Sequence, residues 1–453
     1  MNDETQVKRS TPLGARVWIS AIFFGLIGQI AWVVENMYFA TFAQDIFANV
    51  GRHDLGYIVT TLMVVLSALT ATVTTIFAGG WCDRVGKRKP FVAYGYIVWG
   101  ITIMIFAVIP MKPSGGMIAG SAVLLIVFDC IMTMAGSTSN DAAFNAYIAD
   151  VGDESNRGRL NAALSVLPVI AVVVVFIGLG GLYDSGSDSN YLFFIIQGII
   201  PIVAGVAAIF LLKDSDKIEK TPYGSWKDTF YGFSVEVVKN NKLLYVTLAA
   251  YCVVAIAQQT FFSYLINFVQ VTLGYGDGFI IPMAVVIVGA ALVTGVLGVL
   301  FDKLGRKHFY FPLLVGVVLG CMSFYLARFV PIGAGRDVLV YIGGIVMMGS
   351  ILSLTGALGA TFQDNIPEGC EGRFQGVRMC FTVLVPMIVG PIVSLIIGLD
   401  AMGINSAENF TPPYEIFLAA AIIAVIGFIP LCFVRKSHSV KKSLDSDSEK
   451  IAE

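Results

Sequence analysis

Three carboxylates lie inside long apolar stretches of this sequence: Glu35, Asp129 and Asp141. Placing an acid at the centre of a bilayer costs a few kcal/mol or more, so each is a candidate for function rather than decoration. A carboxyl in low dielectric favours its neutral form and ionises when water reaches it, which suits a group that takes up and releases a proton. Asp129 and Asp141 are twelve residues apart in one stretch, roughly 18 Å along a helix. Ser137, Asn140, Asp141, Phe144 and Asn145 recur at three- and four-residue spacing and form one polar stripe. Asp129 can also be read as an acid near the outer surface or paired with another helix.

Amides and aromatic rings accompany the acids. Gln29, Trp32, Asn36 and Tyr38 or Phe39 share one broad face with Glu35, and Gln258, Gln259, Phe262 and Asn267 do the same in a later stretch. Amides hydrogen-bond hydroxyl groups and rings stack on the apolar faces of sugars, so these residues suit a polyhydroxylated ligand. Tyr94, Tyr96 and Trp99 read as packing groups. Arg378 can neutralise an acid or an anionic substrate, or it can snorkel to the inner surface.

A ten-residue cassette occurs twice, as Gly79-Gly-Trp-Cys-Asp83-Arg84-Val-Gly86-Lys87-Arg88 and as Gly298-Val-Leu-Phe-Asp302-Lys303-Leu-Gly305-Arg306-Lys307. Asp83 and Asp302 can cap the following helix, where a negative charge meets the positive dipole end. Gly86 and Gly305 permit a tight turn. Arg84, Arg88 and Arg306 can pair with acids or with lipid headgroups. Such ion-paired latches can hold two helix bundles in one state and release them in another.

The elements that must carry these residues are membrane helices. The chain is 57% hydrophobic and 13% charged, with a mean hydropathy of +0.80, against about a quarter charged residues in soluble domains. Windows of about 20 apolar residues place twelve spans near 16–42, 56–80, 91–110, 117–149, 159–182, 191–212, 243–268, 278–301, 308–328, 337–362, 373–398 and 413–434. Both termini are expected in the cytoplasm of a multi-pass plasma-membrane protein. That leaves only Arg52, Lys112, Arg328 and Arg336 of the 29 Lys and Arg on the outer side, as the positive-inside rule requires. The first apolar stretch is too long for a cleavable signal and holds Glu35 and Asn36. The seven cysteines form no disulfide or metal pattern, with Cys82 and Cys370 at most exposed thiols.

The organisation expected is a tail over 1–15, a six-helix bundle over 16–212 and a linker over 213–242. A second six-helix bundle over 243–434 and a tail over 435–453 follow. Trp226, Phe230 and Phe233 among the linker lysines suggest an amphipathic surface helix. The two bundles read as a repeat. Glu35 to Phe42 aligns with Gln258 to Leu265, the cassettes align, and Asp150 to Arg159 aligns with Asp364 to Arg373, at offsets of 223, 219 and 214. Repeats of this kind place a substrate site near the bilayer midplane.

The cassettes, the twelve spans and the central loop together resemble the major facilitator superfamily, whose signature loop lies between helices 2 and 3 with an echo between helices 8 and 9. The resemblance implies an all-α fold of two pseudo-symmetric six-helix bundles, with gating roles for Asp83, Gly86 and Arg88 and for Asp302, Gly305 and Arg306. Asp83 to Phe91, Ala149-Asp150 and Asn156-Arg157-Gly158-Arg159 look most similar to the glycoside–pentoside–hexuronide and sucrose-type cation symporters. Two departures matter. Melibiose-type sodium symporters carry helix-2 carboxylates that residues 56–80 lack, and sucrose-type carriers tend to have an arginine where this chain has Asn145.

The leading expectation is a proton-coupled symporter of a sugar or glycoside working by alternating access. Glu35, Asp141 and Asp129 would be its proton-coupling groups. Gln29, Trp32, Asn36, Tyr38, Ser137, Asn140, Asn145, Gln258, Gln259, Phe262 and Asn267 would be its substrate-binding candidates. The coupling ion expected is the proton rather than sodium, with no cofactor and no metal. The alternatives are an efflux carrier for drugs or amphipathic metabolites, which calls for a more apolar cavity, and a transporter-like receptor or scaffold. An enzyme is not expected, since the three histidines lie at loops or span ends and no nucleophile–base pair is visible. The partners expected are a small-molecule substrate and membrane lipid, with no nucleic acid, and the working unit is a monomer.

Overall fold

The structure is a computed structural model that describes residues 14–152, 157–184, 190–214, 231–366, 371–404 and 412–434. Among the described residues eleven helices are long and apolar enough to cross a membrane, and they match the expected spans. They are α1 (Ala15–Ala48), α2 (His53–Cys82), α3 (Lys89–Val108), α4 (Met117–Val151), α6 (Tyr191–Leu211), α7 (Lys242–Phe262), α8 (Ile280–Phe301), α9 (Tyr310–Phe329), α10 (Ala334–Asp364), α11 (Gly376–Asp400) and α12 (Glu415–Val434). The fifth expected span is present as α5 (Arg157–Val173), continued by a π-helical turn, Val174–Leu179. Large apolar side chains such as Phe210, Leu292 and Ile396 are exposed along these helices, as lipid-facing surface should be.

The chain packs as two compact units, one from the described residues of Met1–Glu35 and Val73–Tyr223 and the other from those of Asn36–Thr72 and Gly224–Glu453. In the first unit α3 and α6 cross almost backbone to backbone. A Cβ added at Gly100 would lie 2.3 Å from the Gly198 carbonyl oxygen, and one at Gly205 would lie 2.6 Å from that of Ala93. Membrane helices associate through such small-residue contacts because lipid supplies no hydrophobic force between them. In the second unit α9 and α10 meet the same way, with Gly320 against Met347 and Gly343 against Ser323.

α1 runs six residues past its expected end, to Ala48, because Thr41 and Gln44 are buried there and hydrogen-bonded. π-helical turns interrupt α1 at Glu35–Phe39, α4 at Ser137–Phe144 and α11 at Cys380–Leu384. Another, Phe268–Thr272, follows the break after α7. Such turns loosen the backbone ladder and are frequent at functional sites. Two of them hold Glu35 and Asp141. The expected linker helix near Trp226 and Phe230 lies outside the described residues, as do both tails beyond residue 14 and residue 434. Phe233 closes a short 3-10 turn, Tyr231–Phe233, before the surface helix Val235–Asn240. Cys82, expected to be exposed, is fully buried because the cassette helix turns it inward, and Cys370 lies outside the described residues.

Candidate functional site

Glu35 is 8% exposed and Asp129 2% exposed. Thr133 donates to Glu35 Oε1 at 2.9 Å, and Glu35 Oε2 is buried with no hydrogen-bond partner. Asp129 is one helical turn before Thr133 on α4 and therefore shares its face. The charges of Asp129 and, more weakly, Asp141 act on Glu35. The first unit thus holds two buried acids, Glu35 bonded to Thr133 and Asp129 one turn from that threonine along α4.

Asp141 lies eight residues beyond Thr133, about two turns further along α4, within the π turn. Ser137 donates to its Oδ2 at 3.1 Å, Asn140 to its Oδ1 at 3.4 Å, and Asn145 to its carbonyl at 3.0 Å. Tyr96 of α3 donates to the Phe24 carbonyl at 2.8 Å and lies 3.0 Å from Asn140 Oδ1. This knot closes only because residue 28 is glycine: a Cβ there would lie 2.3 Å from Asn140 Oδ1 and 2.9 Å from the Tyr96 hydroxyl. The Trp32 and Trp99 rings pack 5.0 Å apart over Gly136, where a Cβ would meet both rings. Gln29 is half-buried beside them.

In the second unit, Asn267 donates to Gln44 at 2.6 Å and Gln44 to the Ser263 carbonyl at 3.3 Å. Thr61 and Tyr264 share a hydrogen bond of 3.2 Å, and the Tyr57 and Tyr264 rings stack 4.6 Å apart. Tyr57 lies against Gly398, where a Cβ would be 2.7 Å from the ring. The second half of α1 and the first half of α2 are thereby tied to the segment just after α7 and to α11. Asn267 belongs to this tie and Tyr38 is fully buried, whereas Asn36, Gln258, Gln259 and Phe262 are half-buried.

The cassettes end two helices by the same device. The chain leaves α2 through Gly86 at φ +64° and α8 through Gly305 at φ +83°, left-handed turns that favour glycine. Arg88 donates to Asp150 at 2.9 Å and Arg306 to Asp364 at 2.6 Å. Arg84 is exposed. The Asp83 and Asp302 side chains lie outside the described positions. The start of α3 is capped from elsewhere: Asp214 accepts from the backbone amides of Arg88 at 2.7 Å and Lys89 at 2.8 Å.

Sequence reasoning missed Thr133, Tyr96, Gly28, Gln44 and Asp214. Thr133 alone had a signal, since it continues the four-residue spacing of Asp129, Ser137 and Asp141. Among the described residues no group of three or more His, Cys, Asp or Glu converges on a metal position.

A polytopic helical protein with duplicated cassettes, duplicated ion pairs and acids buried in its helices has the anatomy of a secondary transporter. The Major Facilitator Superfamily profile matches residues 17–391, and the chain belongs to that family. It is 24% identical over 278 residues to Multidrug resistance protein 2 of Bacillus subtilis (strain 168), covering 60% of this chain and 65% of that one. The chain thus spans under two thirds of that relative's length. Among solved structures it is similar to a D-xylose-proton symporter, with TM-score 0.69, 14% identity, and 92% and 96% of the two chains covered. It is also similar to a bacterial homolog of the human lysosomal transporter Spinster, with TM-score 0.66, 15% identity and coverage of 94% and 98%. The nucleoside transporter NupG follows, with TM-score 0.63, 13% identity and coverage of 92% and 98%. At these identities the likeness is one of fold.

Proposed function

We propose that this chain is a proton-coupled symporter of a sugar or glycoside, of the glycoside–pentoside–hexuronide and sucrose-type branch, working by alternating access in the plasma membrane with both termini cytoplasmic. The observation that carries the reading is the pair of buried acids on α1 and α4, Glu35 bonded to Thr133 and Asp129 one helical turn from that threonine. Two carboxylates in one dry site do not both ionise readily, and the Glu35 oxygen without a partner is where a proton binds. Asp141 belongs to the neighbouring amide–hydroxyl knot and orients Asn140 and Asn145. Gln29, Trp32, Asn36, Gln258, Gln259 and Phe262 supply amides and rings for a polyhydroxylated cargo. Arg88–Asp150 and Arg306–Asp364 act as latches that make and break as access alternates.

The efflux reading has one observation in its favour, the resemblance to a protein named for multidrug resistance. The fold neighbours carry xylose, nucleoside and other names, so fold does not choose between them. The deciding experiment follows external pH in energy-starved cells expressing the protein as sugars and glycosides are added. Symport produces alkalinisation with one sugar, and Glu35→Gln abolishes it. Silence with every sugar, together with altered drug accumulation, selects efflux.

A further inference from the structure

We infer that Ser137 and Thr133 form a hydroxyl relay along α4 that carries the coupling proton between Asp141 and Glu35. The inference rests on the symport reading and adds to it a route and a division of labour between the two acids. Asp129, Thr133, Ser137 and Asp141 follow one another at four-residue spacing, so an acid stands at each end of the row with two hydroxyls between. In an ideal α-helix each fourth residue is turned on by about 40°. The wider winding of the Ser137–Phe144 π turn turns the row back, and Ser137 donates to Asp141 Oδ2 at 3.1 Å. Thr133 donates across to α1, to Glu35 Oε1, at 2.9 Å.

These two hydroxyls differ from their neighbours in what they bond. Thr138 and Ser139 on α4 and Thr41 on α1 spend their protons on the carbonyl one turn back, at 2.8, 2.8 and 2.9 Å, the usual habit of hydroxyls in helices. Ser137 and Thr133 spend theirs on carboxylates, and both are buried. Asp141 is half-buried and Asn145, one turn on, is exposed, so water reaches the row at Asp141, while Glu35 is its dry end. The sequence places no lysine, arginine or histidine in 17–51, 90–111 or 113–156. α1, α4 and the body of α3 therefore offer these acids no base, and a proton is what neutralises them. The other titratable group facing the row is Tyr96 of α3, whose hydroxyl is committed to the Phe24 carbonyl and Asn140.

Successive side chains on one helix face stand about 5–6 Å apart, a gap between Thr133 and Ser137 that one water spans with a hydrogen bond to each. A hydroxyl both donates and accepts. A proton on Asp141 makes that acid the donor to Ser137 Oγ. The Ser137 proton then passes to the bridging water, a water proton to Thr133 Oγ1, and the Thr133 proton to ionised Glu35. Each oxygen between the acids gives one proton and takes one, so Asp141 ends ionised and Glu35 neutral. A half turn of the Glu35 carboxyl brings the protonated oxygen to the position without a partner and offers the other oxygen to Thr133.

The test is protonation kinetics in the purified full-length protein in detergent, started by a laser flash on a caged acid and followed by tryptophan fluorescence. Trp32 lies one turn from Glu35 and packs 5.0 Å from Trp99, so the pair reports that acid's charge, and the phase lost in Glu35→Gln is the signal. Ser137→Ala should slow this phase at least tenfold while its pH midpoint moves little, and Asp141→Asn should slow it alike. Ser137→Thr, which keeps the hydroxyl, should restore the rate. Ser139→Ala removes a buried hydroxyl bonded to the Ala135 carbonyl and should leave the rate unchanged. A Glu35-dependent phase equally fast in the wild type and Ser137→Ala would overturn the relay and leave the symport reading standing. Equal slowing by Ser137→Ala and Ser139→Ala would overturn it as well, because loosening of α4 would then explain both. Absence of any Glu35-dependent phase would remove the relay and proton coupling through Glu35 together.

Discussion

Arg88 Nε donates to Asp150 Oδ2 at 2.9 Å with the two side chains only 7% and 23% exposed. The related pair in the other unit, Arg306 and Asp364, is closer at 2.6 Å but 33% and 54% exposed. Each joins a cassette base to the acid that ends the fourth helix of its own half. Burial, not distance, separates their energetics. Breaking a buried pair leaves an uncompensated charge and costs about 3–5 kcal/mol, while exposed pairs contribute about 0–1 kcal/mol.

Asp150→Asn is therefore expected to lower the melting temperature of the purified protein clearly, by several degrees, and Asp364→Asn by little or nothing. The comparison is made by thermal unfolding in one detergent. Equal effects would mean that the latches are energetically as symmetric as they are in sequence.

Gly28 sets a second prediction. Its replacement by alanine places a Cβ within 2.3 Å of Asn140 Oδ1, so α1 must move or the amide must swing away from Tyr96 and Asp141. Overpacking of this kind costs about 1–3 kcal/mol. Gly28→Ala should lose uptake and stability together. Gly79→Ala, at a cassette glycine with nothing within 4 Å, should be close to neutral.

The tie from the second half of α1 and the first half of α2 to the segment just after α7 and to α11 gives a third. Asn267→Ala leaves Gln44 Oε1 buried without its donor, a loss of about 1–3 kcal/mol. A cysteine placed by Ser263→Cys, at a buried position, should then react with a membrane-impermeant maleimide several times faster than in the otherwise wild-type protein. An unchanged labelling rate would show that the Tyr57–Tyr264 stack holds this end closed without the amides.

These contacts show where the sequence stops being readable. The spans, the cassettes and the three intramembrane acids stand out because each violates or satisfies a strong local rule: twenty apolar residues, a glycine turn among bases, a charge where lipid should be. Asp214 capping α3 from 125 residues away and Gln44 meeting Asn267 across 223 residues follow no local rule. They depend on how far each helix is rotated about its axis. The π turns in α1 and α4 change that rotation, since one inserted residue turns a helix face by about 100°. Asn267 and Gln259 read alike in sequence for this reason, yet one is bonded into a buried tie and the other packs its backbone against Gly390 of α11.

The hydrogen bond from Thr133 to Glu35 separates coupling from architecture. A hydrogen bond to a charged group contributes about 1.5–3 kcal/mol, and each 1.4 kcal/mol is a factor of about ten. It is stronger when Glu35 is ionised, because a carboxylate oxygen is a better acceptor than the carbonyl oxygen of a neutral acid. Thr133→Val should therefore lower uptake against a gradient by about tenfold, and Thr133→Ser, which keeps the hydroxyl, should restore most of it. Glu35→Gln holds a permanently neutral group in the same space. It is expected to abolish accumulation while leaving substrate exchange across proteoliposome membranes within a few-fold of wild type. Accumulation and exchange measured side by side in these three variants decide the role. Parallel loss of both in all three would make the cluster a structural knot between α1 and α4, and the proton would then have to be carried by Asp141.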